Sequence, residues 1–267
     1  MKKNWVVLAV VAILLVGGGV FAFTKMKGGA SKVAPSGTPK PKLSLPVNVI
    51  PVSDRPFVTL TPTAAREVVI GVDKLKKQSD SVDFELEYSA IDKQEAAIGS
   101  LQLSGSAPFH KTLLLGSESA GGKITYHEGV TGGTLTLTFY NENYKLANDW
   151  AYIDNRKPTT GIFSARDGKF DIDTAKLLKN AQFVIVFNNP GLPATEDKAL
   201  LAGPYTIDAT SGLPTGKANV KMHLSEAKPA TILGWNGTSW KEFTTKTDGQ
   251  TATATVDLMS TYIAVVK

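Results

Sequence analysis

From Trp5 to Phe23 the chain runs nineteen residues without a charge, WVVLAVVAILLVGGGVFAF, with Lys2 and Lys3 before the stretch and Lys25 and Lys27 after it. As a helix rising about 1.5 Å per residue it would be roughly 28 Å long, close to the hydrocarbon thickness of a bilayer. A surface of that kind is not left in water, so the stretch either spans a membrane or is removed during export. Met1–Asn4 and Val6–Val16 also have the layout of a secretory signal, and Val20-Phe21-Ala22 is an acceptable cleavage tripeptide. Both outcomes stand, a retained anchor over residues 1–24 or cleavage near Ala22; the apolar run reaching Phe23 favours the anchor. Both flanks are basic, so charge alone does not orient the segment. An apolar segment behind Met-Lys-Lys is the usual export signal, which places the remainder of the chain outside the membrane. A cytoplasmic domain on a membrane tether is the alternative.

The charge distribution supports this division. Residues 1–42 hold seven lysines and no acid, leaving 22 basic against 24 acidic residues in the rest. Lysines beside an apolar segment suit anionic headgroups. The part beyond them has no basic excess to neutralise phosphates, so nucleic acid is not an expected partner. The chain has no cysteine, which removes disulfides, thiolate metal sites and a cysteine nucleophile. Residues 25–46 form a tether: Gly28-Gly29 gives flexibility, and Pro35, Pro39, Pro41 and Pro46 favour extended backbone.

Beyond the tether the hydrophobic period is two, the signature of half-buried strands. Val82, Phe84, Leu86 and Tyr88 alternate with acids, and Leu135, Leu137 and Phe139 alternate with threonines. Shorter strands are expected at Phe57–Leu60, Glu67–Val72, Thr112–Leu115, Lys123–Tyr126 and Ala151–Ile153, with Leu101 and Leu103 on another. Ile162–Ala165 and Lys169–Ile172 flank Asp167-Gly168, a hairpin signal. Phe183–Phe187, FVIVF, should be a strand buried on both faces. Ala218–Leu224, Ala252–Leu258 and Tyr262–Val266 continue the alternation. Helix is expected only as one turn at Leu75–Lys77 and, capped by Asp173 or Thr174, as two turns across Asp173–Ala181. The reading is an all-β chain: a transmembrane helix and tether, then two antiparallel β-sandwich domains over 47–154 and 160–267, joined near Pro158.

Candidate chemistry is sparse. His110, His127 and His223 are not at metal-ligand spacing, and no G-x-S-x-G nucleophile elbow occurs. Gly116–Lys123 resembles a phosphate loop, but Gly122 stands where the lysine should be, so it reads as a loop between strands. Leu192–Glu196, LPATE, lacks the glycine of a sorting signal. Asp83, Glu85 and Glu87 share one strand face, and so do Asp171 and Asp173. No catalytic residue, cofactor or metal is expected. The sharpest local signature is Trp235-Asn236-Gly237-Thr238-Ser239-Trp240: a two-residue Asn-Gly hairpin is expected to set Leu233 against Trp240, with Trp240 in the core and Trp235 more exposed. Trp235 is the one candidate binding residue, as an aromatic sugar platform.

Trp5–Phe23, the Pro/Lys tether, the W-N-G-T-S-W hairpin and the closing strand TYIAVV together resemble bacterial envelope proteins with an N-terminal anchor and tandem immunoglobulin-like sandwiches. Val82–Ala90, VDFELEYSA, is also similar to an early strand of cohesin-type sandwiches. The resemblance implies a non-catalytic surface protein with a structural, adhesive or assembly role. The alternative is a module that recognises a protein or carbohydrate at the cell surface through a sandwich face or its loops.

Overall fold

The computed structural model describes residues 45–104, 107–157 and 159–267. The expected membrane segment, the tether up to residue 44 and Pro158 lie outside these. A single turn of 3-10 helix at Val52–Asp54 precedes β1 (Phe57–Pro62), β2 (Glu67–Lys74), β3 (Ser81–Ala90), β4 (Lys93–Gln102) and β5 (Phe109–Leu114). Then come β6 (Gly116–Glu118), β7 (Ile124–Tyr126), β8 (Gly132–Phe139), β9 (Tyr144–Asp154), β10 (Ile162–Ser164) and β11 (Phe170–Asp173). The chain continues with β12 (Phe183–Asn188), β13 (Leu200–Ala209), β14 (Lys217–His223) and β15 (Ala230–Trp235). It ends with β16 (Trp240–Phe243), β17 (Thr245–Asp248), β18 (Thr251–Asp257) and β19 (Thr261–Val266). The fold is all-β, and every pair of neighbouring strands is antiparallel.

The sheets are open. One has nine strands in the order β16-β15-β19-β13-β12-β9-β8-β3-β4; the others have five (β10-β11-β14-β18-β17), three (β1-β2-β5) and two (β6-β7). The nine-stranded sheet takes strands from both sides of residues 155–160, because β12 pairs with β9 from Phe183↔Asp154 to Phe187↔Trp150. Leu45–Lys267 accordingly forms one compact unit.

The centre of that unit is β12. Its side chains alternate across the sheet. Phe183, Ile185 and Phe187 enter one hydrophobic cluster, with β1, β2, β3, β8 and β9. Val184 and Val186 enter the other, with β11, β13, β14, β18 and β19. The all-apolar FVIVF run therefore has the cause expected of it, burial on both faces. The three-stranded sheet covers one face at the β12–β3 end, and the five-stranded sheet covers the opposite face at the β12–β15 end. A small third cluster of Leu192, Leu233, Ile263 and Val265, with Trp240 against it, fills the face that the five-stranded sheet leaves.

Two free stretches of strand are closed by asparagines. Asn189 reaches the edge of β1, where its Oδ1 accepts from Val58 N at 3.3 Å and its Nδ2 donates to Val58 O. Asn48 does the same at β9: Nδ2 donates to Ala147 O at 2.7 Å, and Oδ1 accepts from Ala147 N at 3.1 Å. Each amide side chain stands in for one residue of a missing strand.

Several expectations need correction. Across Asp173–Ala181 the chain ends β11 at Asp173 and continues in turns, not helix. Ala175 has φ +50° beside the buried Thr174, whose hydroxyl donates to Gly161 O at 3.1 Å, and that backbone breaks any helical ladder. Leu75–Lys77 is a bend. The tryptophan hairpin has a four-residue loop, Asn236–Ser239, and pairs Trp235 with Trp240 and Leu233 with Glu242. Asn236 Oδ1 accepts from Thr238 N at 2.9 Å and Ser239 N at 2.8 Å, and Gly237 takes φ +99°, so side-chain turn chemistry lengthens the loop. A shift of two residues keeps each side chain on its expected face. Leu233, Trp235 and Trp240 remain on one side, and Ile232 and Phe243 on the other.

Candidate functional site

A broad concave surface lies across the outward face of the five-stranded sheet. Its strands alternate strictly: Phe170, Ile172, Ala218, Val220, Met222, Ala252, Ala254 and Val256 point into the core. Their neighbours point out and make cross-strand rows. One row runs Ile162, Asp173, Asn219, Thr255, and the next runs Ser164, Asp171, Lys221, Thr253, Lys246. These rows line a groove of ≈ 710 Å³, with Thr244 and Thr245 at one side. The two aspartates that share a strand face in the sequence are thus placed together in it.

Its internal bonds set which atoms remain available. Asp171 Oδ1 accepts from Ser164 Oγ at 2.6 Å, and Oδ2 lies 3.7 Å from Lys221 Nζ. Asp173 Oδ1 accepts from Ala175 N at 2.8 Å. Asn219 Oδ1 accepts from Thr255 Oγ1 at 2.8 Å, which turns the Asn219 amide NH₂ outward as a donor. Two carboxylates face two ammonium groups, Lys221 and Lys246, so the groove carries no net charge. Beside it Asp257 is held ionised, its pKa lowered by hydrogen bonds from Lys217 and Lys241.

The other sequence candidates are dispersed. Trp235 is half-buried, edge-on to Trp240 at 5.3 Å between ring centroids, and outside the groove. Trp240 is also half-buried, with its Nε1 enclosed and unpartnered, so the expected contrast in exposure between the two is not marked. Leu192 of the LPATE stretch is buried in the third cluster. Gly116–Lys123 spans the β6–β7 hairpin. Asp83, Glu85 and Glu87 do share the outer face of β3, where Ser100 donates to Asp83.

The histidines are far apart in the topology. His110 lies on β5 opposite Gly71, near Asp73, whose carboxyl is pushed up chiefly by burial. His127 bonds Tyr88 Oη through Nδ1 at 2.9 Å and Lys93 Nζ through Nε2 at 3.1 Å. An ammonium only donates, so Nε2 is the acceptor and the proton of the neutral ring sits on Nδ1. Burial and Glu95 push the Tyr88 hydroxyl up to about 12. His223 ends β14 on the surface. Among the described residues no group of three or more histidine or carboxylate side chains is arranged to hold a metal ion. None of their helices is long and apolar enough to cross a membrane.

No known protein family, characterised protein or solved structure matches the chain at a significant level. The groove itself was only half legible. Asp171 and Asp173 were recognisable as facing together, but Asn219, Lys221, Thr253 and Lys246 join them through strand pairings that leave no local signal.

Proposed function

We propose that the chain is a membrane-anchored, extracytoplasmic surface protein with an adhesive, non-catalytic role, recognising a neutral, hydroxyl-rich polymer such as a glycan in the groove of the five-stranded sheet. The observation that carries this reading is the groove of ≈ 710 Å³ with two carboxylates balanced by two lysines. A charge-balanced trough gives no field that selects an anion or a cation, yet it offers donors and acceptors along each row beside apolar surface. Strand spacing of about 4.8 Å sets those rows at a repeat close to that of sugar units in a chain. Ile162 adds an apolar edge. Anchoring rests on the uncharged Trp5–Phe23, and we read the two packed layers as immunoglobulin-like sandwiches fused through β12.

A glycan array probed with the full chain tests the proposal. Binding should be lost in Asn219→Ala and Thr253→Val, which alter the outward face and leave the melting temperature unchanged. Retained binding in both variants would move the site elsewhere, with Trp235→Ala then the variant to examine. Release of new reducing ends from a bound glycan would overturn the non-catalytic part. External protease on intact cells should remove the part beyond residue 47; protection until the membrane is broken would reverse the orientation.

A further inference from the structure

Among the described residues the sheets end in strands that are closed in different ways, with one exception. β1 is plugged at Val58 by Asn189 and tied at Thr61, whose hydroxyl donates to Asp208 at 2.6 Å. β16 is four residues long, carries Lys241 and Glu242, and is crossed by the 2.6 Å ion pair of Lys198 with Glu242. β10 has three residues; β17 has four, among them Lys246 and Asp248. β5 carries His110 and Lys111. These are the ordinary devices against edge-to-edge association: short length, charge and side-chain plugs.

β4 has neither short length nor a side-chain plug, and charge only at its first turn-side positions. It runs ten residues, KQEAAIGSLQ, pairs at every one with β3, and forms the outer end of the nine-stranded sheet. Along its free side about five residues present backbone N–H and C=O groups outward, since these alternate along an antiparallel strand. Its charges, Lys93 and Glu95, stand at the first and third positions, and the rest of the strand has none. At its centre Ile98 is 74% exposed, the highest among the large exposed hydrophobic residues. Gly99 is held beneath the Phe84 ring, where a Cβ would come within 2.7 Å of Cζ.

We infer that β4 is a homotypic pairing edge: two copies of this chain add their β4 strands antiparallel, with Ile98 against Ile98 on the two-fold axis. The sequence is self-complementary in that register. Ala97 faces Gly99 of the second copy, Ala96 faces Ser100, Glu95 faces Leu101 and Gln94 faces Gln102. No like charges meet, and the outward row of Gln94, Ala96, Ile98, Ser100 and Gln102 is wholly uncharged. Pairing satisfies the outward backbone groups and buries both isoleucines. A ten-residue strand pair is small beside an interface of about 1,600 Å², so the contact is weak and concentration-dependent, suited to copies held at high local density. This inference is independent of what the groove binds.

The absence of cysteine makes the test clean. Directly opposed residues of an antiparallel pair have Cα atoms about 4.5–5.5 Å apart, within the reach of a disulfide. Ile98→Cys in the full chain should give several-fold more disulfide dimer on mild oxidation than Ile162→Cys, an exposed position on the β10 edge, at the same protein concentration. Mixing Ala96→Cys with Ser100→Cys should give heterodimers in excess of either alone. Ile98 faces solvent, so all these variants should keep the wild-type circular dichroism. Equal dimer from Ile98→Cys and Ile162→Cys would overturn the pairing, and would be the result if association ran through another part of the chain. Ala96→Cys linking to itself in preference to Ser100→Cys would overturn the register.

Discussion

The two sides of β12 are built from different side chains. On the three-stranded side the core is aromatic, with Phe84, Tyr88, Phe139, Tyr144, Trp150, Tyr152, Phe183 and Phe187. On the five-stranded side it is largely alanine, valine and isoleucine with fewer rings. The tyrosines register the difference. On the five-stranded side Tyr205 donates to Asp167 at 2.8 Å, and Tyr262 donates to Asp257 O at 2.7 Å while accepting from Met259 N. Both rings stack on Phe170, and their hydroxyls reach the rim and find partners. On the aromatic side Tyr88 bonds His127, but among the described residues the Tyr144 and Tyr152 hydroxyls and Asn148 Oδ1 end inside without partners. Burial pushes the pKa of both hydroxyls well above the usual tyrosine range. Bulk thus contributes area to one core at the cost of polar satisfaction, while the other reverses the balance.

The largest test of this comparison is within β12 itself. Phe187→Ala should cost about 3–5 kcal/mol, and Val186→Ala, on the other face, clearly less. Because one strand serves both cores, urea should unfold each variant in a single transition. Two separated transitions in Phe187→Ala would show that the cores fold independently. Next in size is Asn189→Ala, which leaves Val58 N and O at a buried edge without their partner and should cost about 1–3 kcal/mol by the same measurement.

The hydroxyls give smaller effects of opposite sign. Tyr205→Phe removes a satisfied bond and should lower stability by about 1 kcal/mol, whereas Tyr152→Phe removes an unpaired donor and should leave the melting temperature unchanged or raised. Equal losses in the two would erase the distinction between the cores. The smallest effect concerns the seam between β13 and β1. Burial raises the Asp208 carboxyl above 3.8, against the opposing bonds from Thr61 and Ala209. The fold therefore binds its proton more tightly than the unfolded chain does, and the stability this contributes is present at low pH and lost as pH rises above about 4. Asp208→Asn should flatten that part of the melting-temperature profile; an unchanged slope would assign it to other groups.

What was legible in the sequence was whatever a period of two can express. Val82–Tyr88, Leu135–Phe139 and the uniformly apolar FVIVF were assigned to strands because each buries one or both faces. Of β4 only the end around Leu101 was expected as strand, because Leu101 alone of its ten residues is fully buried and the rest of KQEAAIGSLQ has no apolar alternation to detect. The shared sheet escaped for another reason: each half satisfies the pattern of a sandwich, and nothing in Phe183–Asn188 names β9 as its partner. Loop lengths failed where side chains intervene, as Asn236 does in the tryptophan hairpin. Asn48 and Asn189 act through a single amide each, and one residue leaves no pattern at all.

Asn48 has a mechanical meaning. Its backbone N donates to Lys145 O at 2.9 Å, its side chain holds Ala147 twice, and Arg55 donates to its carbonyl at 2.7 Å. Tension applied to the chain ahead of Leu45 meets these four bonds before it reaches β1. Three of them end on Lys145 and Ala147, so the pull passes into β9, and the segment from Val49 to β1 is drawn out only after they part. A residue that closes a gap in a sheet at rest is, under pull, the first fastening the load meets.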